Sequence, residues 1–424
     1  MMIVEPWLLV FCAFGLLAAL GTASGLLNTR LSVSEPLACA LVGVVVGPVG
    51  FGLVHLDPGT DPQSAAILRE AARIALAIAV TAAAIRLPQG WLGAHWRGLL
   101  VILGPGMLGM WLAGSAITAL TLGLPVGTCF MIGAATAPTD PVLSAPILTG
   151  RLARWAVPEQ LTAALNAESG MNDGLALPLV MLPILLLGHG PADAGLEWVV
   201  HVLLWEIGCA ATVGVALGWL VRKGLRWAEA RPDADRASLV TVALALSLAT
   251  LGGVRLLGGD GILAAFAAGA VLNNGIPSEE VAERQERFNE AFGRFFDLPV
   301  MILFGAVIPW QGWAGLGWRG LAFAAGILLL RRLPVWLLLQ RFMPWTRARP
   351  EALFGGWFGP IGAAALFYAM EIQDRTGLET VWPVISLAVG ASILAHGVTG
   401  TLFTRSFGQW RRHAFRSERP QPGE

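Results

Sequence analysis

Apolar stretches long enough to cross a hydrocarbon layer of about 30 Å recur along nearly the whole 424-residue chain, about thirteen of them, separated by short polar connections. They cover 7–27, 34–54, 65–86, 98–122, 126–148, 159–188, 197–221, 237–257, 261–274, 292–310, 317–339, 352–371 and 381–404. No pattern constrains the fold more, because it makes the bilayer the solvent. With 55% hydrophobic and only 13% charged residues, and a mean hydropathy of +0.67, the chain exceeds what the core of a water-soluble domain requires. The expectation is an all-α membrane protein with one transmembrane domain over 1–404 and a short cytoplasmic tail over 405–424. The first stretch is long enough to span and has no basic segment before it, so it reads as a first helix rather than a cleavable leader.

Basic residues test the count, since cytoplasmic loops collect Arg and Lys. After odd-numbered stretches come Arg30, then Arg86 and Arg97, then Arg151 and Arg154, then the run from Arg222 to Arg236, then Arg284 and Arg287, then Arg341, Arg347 and Arg349, and finally Arg405 and the basic tail. Even-numbered stretches are followed by almost none, with Arg255, Arg319 and Arg375 as isolated exceptions. This predicts an external N-terminus, a cytoplasmic C-terminus and a place in the inner (plasma) membrane. Arg69, Glu70 and Arg73 fall near the outer end of the third stretch: either that helix starts later, or Glu70 compensates a neighbour one turn away while the long side chains snorkel outward, which is the favoured reading.

A formal net charge of zero removes any bulk electrostatic case for nucleic-acid binding. Cys12, Cys39, Cys129 and Cys209 lie in apolar runs without paired spacing, so they read as packing residues rather than metal ligands or disulfides.

Ionisable or helix-breaking residues at membrane depth are costly unless they face a cavity or a partner. In the fifth stretch Pro138 and Pro141 bracket Thr139 and Asp140, so the helix should break there and bring free carbonyls, a hydroxyl and a carboxylate together. Such oxygen ligands suit a hard cation; a kinked packing helix with a neutral Asp140 is the plainer alternative. The sixth stretch carries Asn166-Ala167-Glu168-Ser169-Gly170-Met171-Asn172-Asp173-Gly174, in which Ser169 shares a face with Asn172 and Asp173. Asp173, Ser169, Thr139 and Asp140 can therefore define one cage, while Glu168 points aside toward a counter-charge, Arg331 or Arg332, in the eleventh stretch. The twelfth holds a second interruption, Gly355-Gly356-Trp357-Phe358-Gly359-Pro360-Ile361-Gly362. Paired interrupted helices in the two halves mark an inverted-repeat secondary transporter, whose opposed half-helix dipoles need charged company near the midplane. A packing notch of small residues is the alternative.

At these motifs the chain resembles the monovalent cation/proton antiporters of the NhaP and NHE type. Ser34-Glu35-Pro36-Leu37 with Gly47-Pro48, Thr139-Asp140-Pro141-Val142, Glu168 to Gly174, Gly259-Asp260-Gly261-Ile262-Leu263, Arg331-Arg332-Leu333-Pro334 and Ser392 to Gly397 carry the likeness, which covers nearly the whole chain. The resemblance implies Asp173, Asp140, Ser169 and Thr139 as ligands of the transported cation and proton, and an ion pair of Glu168 with Arg331. It also implies a homodimer in which a core domain moves against a dimerisation domain. Where many relatives carry an arginine after the twelfth-helix proline this chain has Ile361, a form similar to fungal plasma-membrane sodium/proton antiporters and bacterial cousins.

The expected engine is competition: the Asp173 carboxylate holds a proton or a dehydrated Na⁺ (or Li⁺ or K⁺), not both, and Asn172 cannot titrate, which predicts electroneutral exchange. No cofactor and no enzymatic activity are expected; the partners are the cation, protons, membrane lipid and a second copy of the chain. Asp260 reads as an entrance residue or helix cap. His201 and His396 titrate in a useful range for sensing pH, with a buried hydrogen-bonded role as the plainer reading. Two other readings stand beside exchange: an intramembrane aspartic hydrolase using Asp140 and Asp173 as its acid pair, and a passive cation channel.

Overall fold

The computed structural model describes residues 34–141, 143–144, 150–231, 238–259, 261–274 and 296–416. The first expected stretch, 7–27, and Asp260 lie outside the described residues, as do Arg30, Arg284 and Arg287 of the loop-charge pattern. The described residues contain helices and no strand. In chain order these are α1 (Glu35–Val46), α2 (Pro62–Ile85), α3 (Trp96–Leu122), α4 (Val126–Thr136), α5 (Gly150–Ala156), α6 (Glu159–Gly188), α7 (Pro191–Ala228) and α8 (Leu239–Leu256). Then follow α9 (Ile262–Asn273), α10 (Leu298–Ala306), α11 (Trp310–Leu330), α12 (Leu333–Leu339), α13 (Arg349–Trp357), α14 (Ala363–Thr376) and α15 (Val381–Arg416). Six of them are by length and composition long and apolar enough to cross a membrane. The stretches expected at 317–339 and 352–371 each resolve into two helices: α11 and α12 meet at Arg331 and Arg332, and α13 and α14 flank a non-helical Phe358–Gly362.

The alanine-rich second half of α2 is buried and packs against α6, α8, α9 and α14, which makes it the central post of the bundle. Small side chains let backbones approach where no hydrophobic force separates helix from lipid. A Cβ on Gly43 of α1 would stand 2.1 Å from the Ile302 carbonyl oxygen of α10, and one on Gly305 would stand 2.0 Å from that of Ala40. Hydroxyls pin the same seams: Ser247 Oγ donates to the Ala77 carbonyl at 2.7 Å and lies 3.0 Å from Thr81 Oγ1. In the connection before α2, Asp61 caps the helix, and the Ser64 side chain and amide hold its carboxyl below the usual carboxylate range.

One expectation changes. Arg69, Glu70 and Arg73 do not snorkel singly; they enter a cross-helix ion-pair network at the Pro62 end of α2. Arg69 Nη1 meets Asp374 at 2.5 Å, Arg73 Nη2 approaches Glu371 at 3.6 Å, and Arg255 Nη1 meets Glu70 at 2.5 Å. Arg375 Nε reaches Glu371 at 2.6 Å, so two of the three exceptions to the loop-charge pattern are neutralised partners of this network. At the other end of the chain α15 runs on past residue 404, and its 36 residues span ~54 Å, longer than a hydrocarbon layer is thick. Phe407 stacks on Phe354 at 4.4 Å and the Arg412 guanidinium lies 4.5 Å over Trp155, so the end of α15 is docked rather than free.

Candidate functional site

Prolines and glycines place the site. From Ala137 to Asp140, with Pro138 inside the break and Pro141 just after it, the backbone leaves the helix; Phe358–Gly362, containing Pro360, does the same between α13 and α14. The two breaks cross, and the Asp140 amide donates to the Pro360 carbonyl at 2.8 Å. At this crossing α4 and α13 present carbonyl ends and α14 presents an amide end, so partial charges of both signs meet inside an apolar bundle.

Side chains answer each of them. Asp140 Oδ2 accepts from the Ala363 amide, the first of α14, at 2.8 Å, and Oδ1 accepts from the Leu143 amide at 3.1 Å. Arg331 faces the carbonyl ends: Nη1 donates to Thr136, to Ala137 at 2.9 Å and to Pro138 at 3.2 Å, while Nη2 donates to Gly359 at 2.5 Å. One guanidinium thus joins the C-terminal ends of two half-helices. Glycine is required beside both charges, since a Cβ on Gly362 would stand 2.0 Å from Asp140 Oδ2 and one on Gly359 2.1 Å from Arg332 Cδ.

The ion pair expected between Glu168 and Arg331 is corrected. Glu168 pairs with Arg332, Oε1 accepting from Nη1 at 2.5 Å and Oε2 from Nη2 at 2.8 Å. The reason is the break between α11 and α12: neighbouring residues there point apart, and the one facing the crossing is spent on carbonyls. Arg332 also donates from Nε to Gly355 at 3.1 Å and lies 4.7 Å over the Trp336 ring, with both partners of the pair almost wholly buried.

On α6, Ser169 and Asn172 turn to the broken segment as their spacing predicts. Thr139 Oγ1 lies 2.9 Å from Ser169 Oγ and accepts from Asn172 Nδ2 at 2.9 Å, and the Thr139 amide donates to Asn172 Oδ1 at 3.3 Å. Asn172 therefore clamps Thr139 through both of its amide atoms, a role its spacing did not reveal. Asp173 is fully buried, and neither of its carboxylate oxygens has a hydrogen-bond partner among the described residues. Its main-chain carbonyl accepts from the Tyr368 hydroxyl at 2.6 Å, which ties α6 to α14. Asp140 lies within electrostatic reach of Asp173 but aims its oxygens at amides, so the expected cage separates into a satisfied carboxylate and an unsatisfied one. No group of three or more His, Cys, Asp or Glu side chains is placed to hold a metal ion among the described residues. A cation here would draw on hydroxyls and carbonyls beside Asp173.

Sequence reading missed Asp297, which is 2% exposed at the start of α10 and within electrostatic reach of Asp140 and Asp173. An acid inside the stretch 292–310 was the available signal. His396 takes the plainer of its two readings, its ring nitrogens lying 2.9 Å from the Trp357 and Ser392 carbonyl oxygens.

Known proteins resemble this chain in sequence and in fold. A family model described as sodium/hydrogen exchanger, transmembrane, matches residues 15–406. A sodium/proton antiporter of Schizosaccharomyces pombe is 33% identical over 88% of this chain and 85% of its own length. A second one, from Zygosaccharomyces rouxii, is 29% identical over 87% of the chain, which spans only about half, 49%, of that relative. A potassium/proton antiporter, NhaP2 of a Shewanella strain, is 24% identical over 93% of the chain and 66% of its own length. In three dimensions the chain is similar to the sodium proton antiporter MjNhaP1 of Methanocaldococcus jannaschii, with a TM-score of 0.70 at 18% identity over 94% of this chain and 99% of that one. Matched along most of its length, the chain belongs to the transmembrane sodium/hydrogen exchanger family, a family of transporters and not of enzymes.

Proposed function

We propose that the chain exchanges Na⁺, or the related Li⁺ or K⁺, for protons, with Asp173 as the carboxylate for which cation and proton compete. The single observation that carries this reading is the state of Asp173: fully buried, without a donor to either oxygen among the described residues, and one helical turn from Ser169, whose hydroxyl pairs with that of Thr139. A carboxylate in such a place keeps its charge only at large cost, so it takes up a proton or a dehydrated cation, and each excludes the other. Asp140 and Thr139 complete the site: Asp140 as a charge satisfied by two amides, Thr139 as an oxygen ligand held in place by Asn172. Alternating exposure of this site to the two sides couples the two gradients.

With Asn172 unable to titrate and Asp140 occupied by amides, one proton moves per monovalent cation and the cycle is electroneutral. The protein works in the plasma membrane as a homodimer, with its N-terminus outside and its C-terminus in the cytoplasm. Relatives bearing both sodium/proton and potassium/proton names support the exchange and leave the ion to experiment. The test is fluorescence dequenching in acid-loaded inverted vesicles, adding the chloride of each alkali metal at several pH values. Saturable dequenching by at least one cation is expected, and a solid-supported membrane carrying the protein should record no net current. Dequenching by none of the three overturns exchange; flux that never saturates and proceeds without protons replaces it with a channel.

A further inference from the structure

Between the ion-pair network and the site lies a cavity of about 260 Å³ whose charged lining comes from Arg69, Arg73, Arg255, Arg375, Glu206 and Glu371. Its remaining wall reaches inward. Leu177, part of that wall, is one helical turn from Asp173 on α6, and Phe367 precedes Tyr368, whose hydroxyl holds the Asp173 carbonyl. The cavity is therefore an antechamber separated from the candidate site by about one layer of side chains.

Within it the arginines are already taken. Glu70, Glu371 and Asp374 receive the close contacts of all four, at 2.5 Å from Arg255, 3.2 Å from Arg73, 2.6 Å from Arg375 and 2.5 Å from Arg69. Glu206 stands apart. It is 8% exposed in the middle of α7; among the described residues its Oε1 lies 3.7 Å from His201 Nε2 and its buried Oε2 has no hydrogen-bond partner. The groups facing it are His201 on its own helix, Arg375 and Glu371 on α14, Arg255 on α8, and Arg69 and Arg73 on α2. Four arginines stand against Glu70, Glu371, Asp374 and Glu206, so the ionised Glu206 brings the antechamber to neutrality. Without that charge a net positive chamber would repel any cation approaching the site.

We propose that Glu206 is an access site for the monovalent cation, a carboxylate that receives it at this face and passes it toward Asp173. The proposal rests on the exchange reading, and on the loop-charge orientation that makes this face the external one. A purely structural counter-ion would have its oxygens on an arginine, whereas Glu206 lines the cavity without pairing to any of its four arginines among the described residues.

The experiment measures cation-dependent proton flux with the cation supplied from one face at a time, in right-side-out and inverted vesicles. Glu206→Gln should raise the half-saturating concentration of the transported alkali cation at the external face about tenfold and leave that at the cytoplasmic face unchanged. Glu206→Asp should restore most of the external affinity. His201 is well exposed, so its variants bear on the same point without burdening folding: His201→Lys supplies a tethered ammonium five residues before the carboxylate, where the imidazole approaches it at 3.7 Å, and should raise the external value, while His201→Ala should not. An unchanged external value in Glu206→Gln, or an equal rise at both faces, overturns the proposal, as does a His201→Lys variant indistinguishable from His201→Ala. Wild-type vesicles lacking cation-dependent proton flux altogether would instead sink the exchange reading itself.

Discussion

Replacing Glu168 with glutamine keeps the shape of the side chain and removes its charge, and the structure states what is lost. Two hydrogen bonds to a carboxylate, at 2.5 and 2.8 Å, become at best one to a neutral amide oxygen, with the new amide N–H set against an arginine donor, and Arg332 stays where it is, 2% exposed, held by the Gly355 carbonyl and the face of Trp336. Removing one member of a buried ion pair costs roughly 3–5 kcal/mol, because the surviving charge is left in a low-dielectric site. That loss shifts the folded fraction by between about two and four orders of magnitude. The assay is thermal challenge of the detergent-solubilised protein followed by size-exclusion chromatography, with Glu168→Gln expected to aggregate at markedly lower temperature than wild type. Rescue decides the pairing: Glu168→Gln combined with Arg332→Met should regain most of the loss, since no unpaired charge is then left buried. Glu168→Gln combined with Arg331→Met should be worse than either single change, as it also strips four carbonyls of their donor. Rescue by Arg331→Met in place of Arg332→Met would refute the assignment.

Asp173→Asn should abolish exchange while leaving the solubilised protein as stable as wild type, because neither carboxylate oxygen has a partner to lose; retained cation-dependent proton flux would contradict its role. Asn172→Asp adds an acid but removes the amide that clamps Thr139, so transport should fall with no electrogenic component, read as current on a solid-supported membrane. Gly362→Ala drives a methyl to 2.0 Å from Asp140 Oδ2 and should cost roughly 1–3 kcal/mol or more together with transport, measured as melting temperature and vesicle flux.

Much of this was legible before any coordinates. The run lengths give the helices closely, α6 matching its expected bounds of 159–188 at both ends, because an apolar run can end only where the bilayer does. The breaks were signalled by Pro138 with Pro141 and by the glycines around Pro360, although α6 runs unbroken through Pro178 and Pro183, so proline alone does not decide between a break and a kink. Partner choice was hidden. Whether Arg331 or Arg332 meets Glu168 depends on the direction of two consecutive side chains at a kink, and spacing rules apply only to unbroken helices. Glu70 looked like a local compensator because its partner Arg255 lies 185 residues away in the chain, and periodicity carries no information at that distance. Asn172 was read for the proton it lacks, while its geometry is that of a two-point brace.

The grip of Arg331 on both carbonyl ends, with Asp140 bonded across to Pro360 and Ala363, has a mechanical corollary. Sliding one broken helix along the other would strip several buried donors and acceptors at once, so the crossed pair travels as a rivet. In the exchange proposed above, side-switching would then fall to the surrounding helices, which would uncover the riveted centre from one compartment and then the other while its inner bonds stay shut.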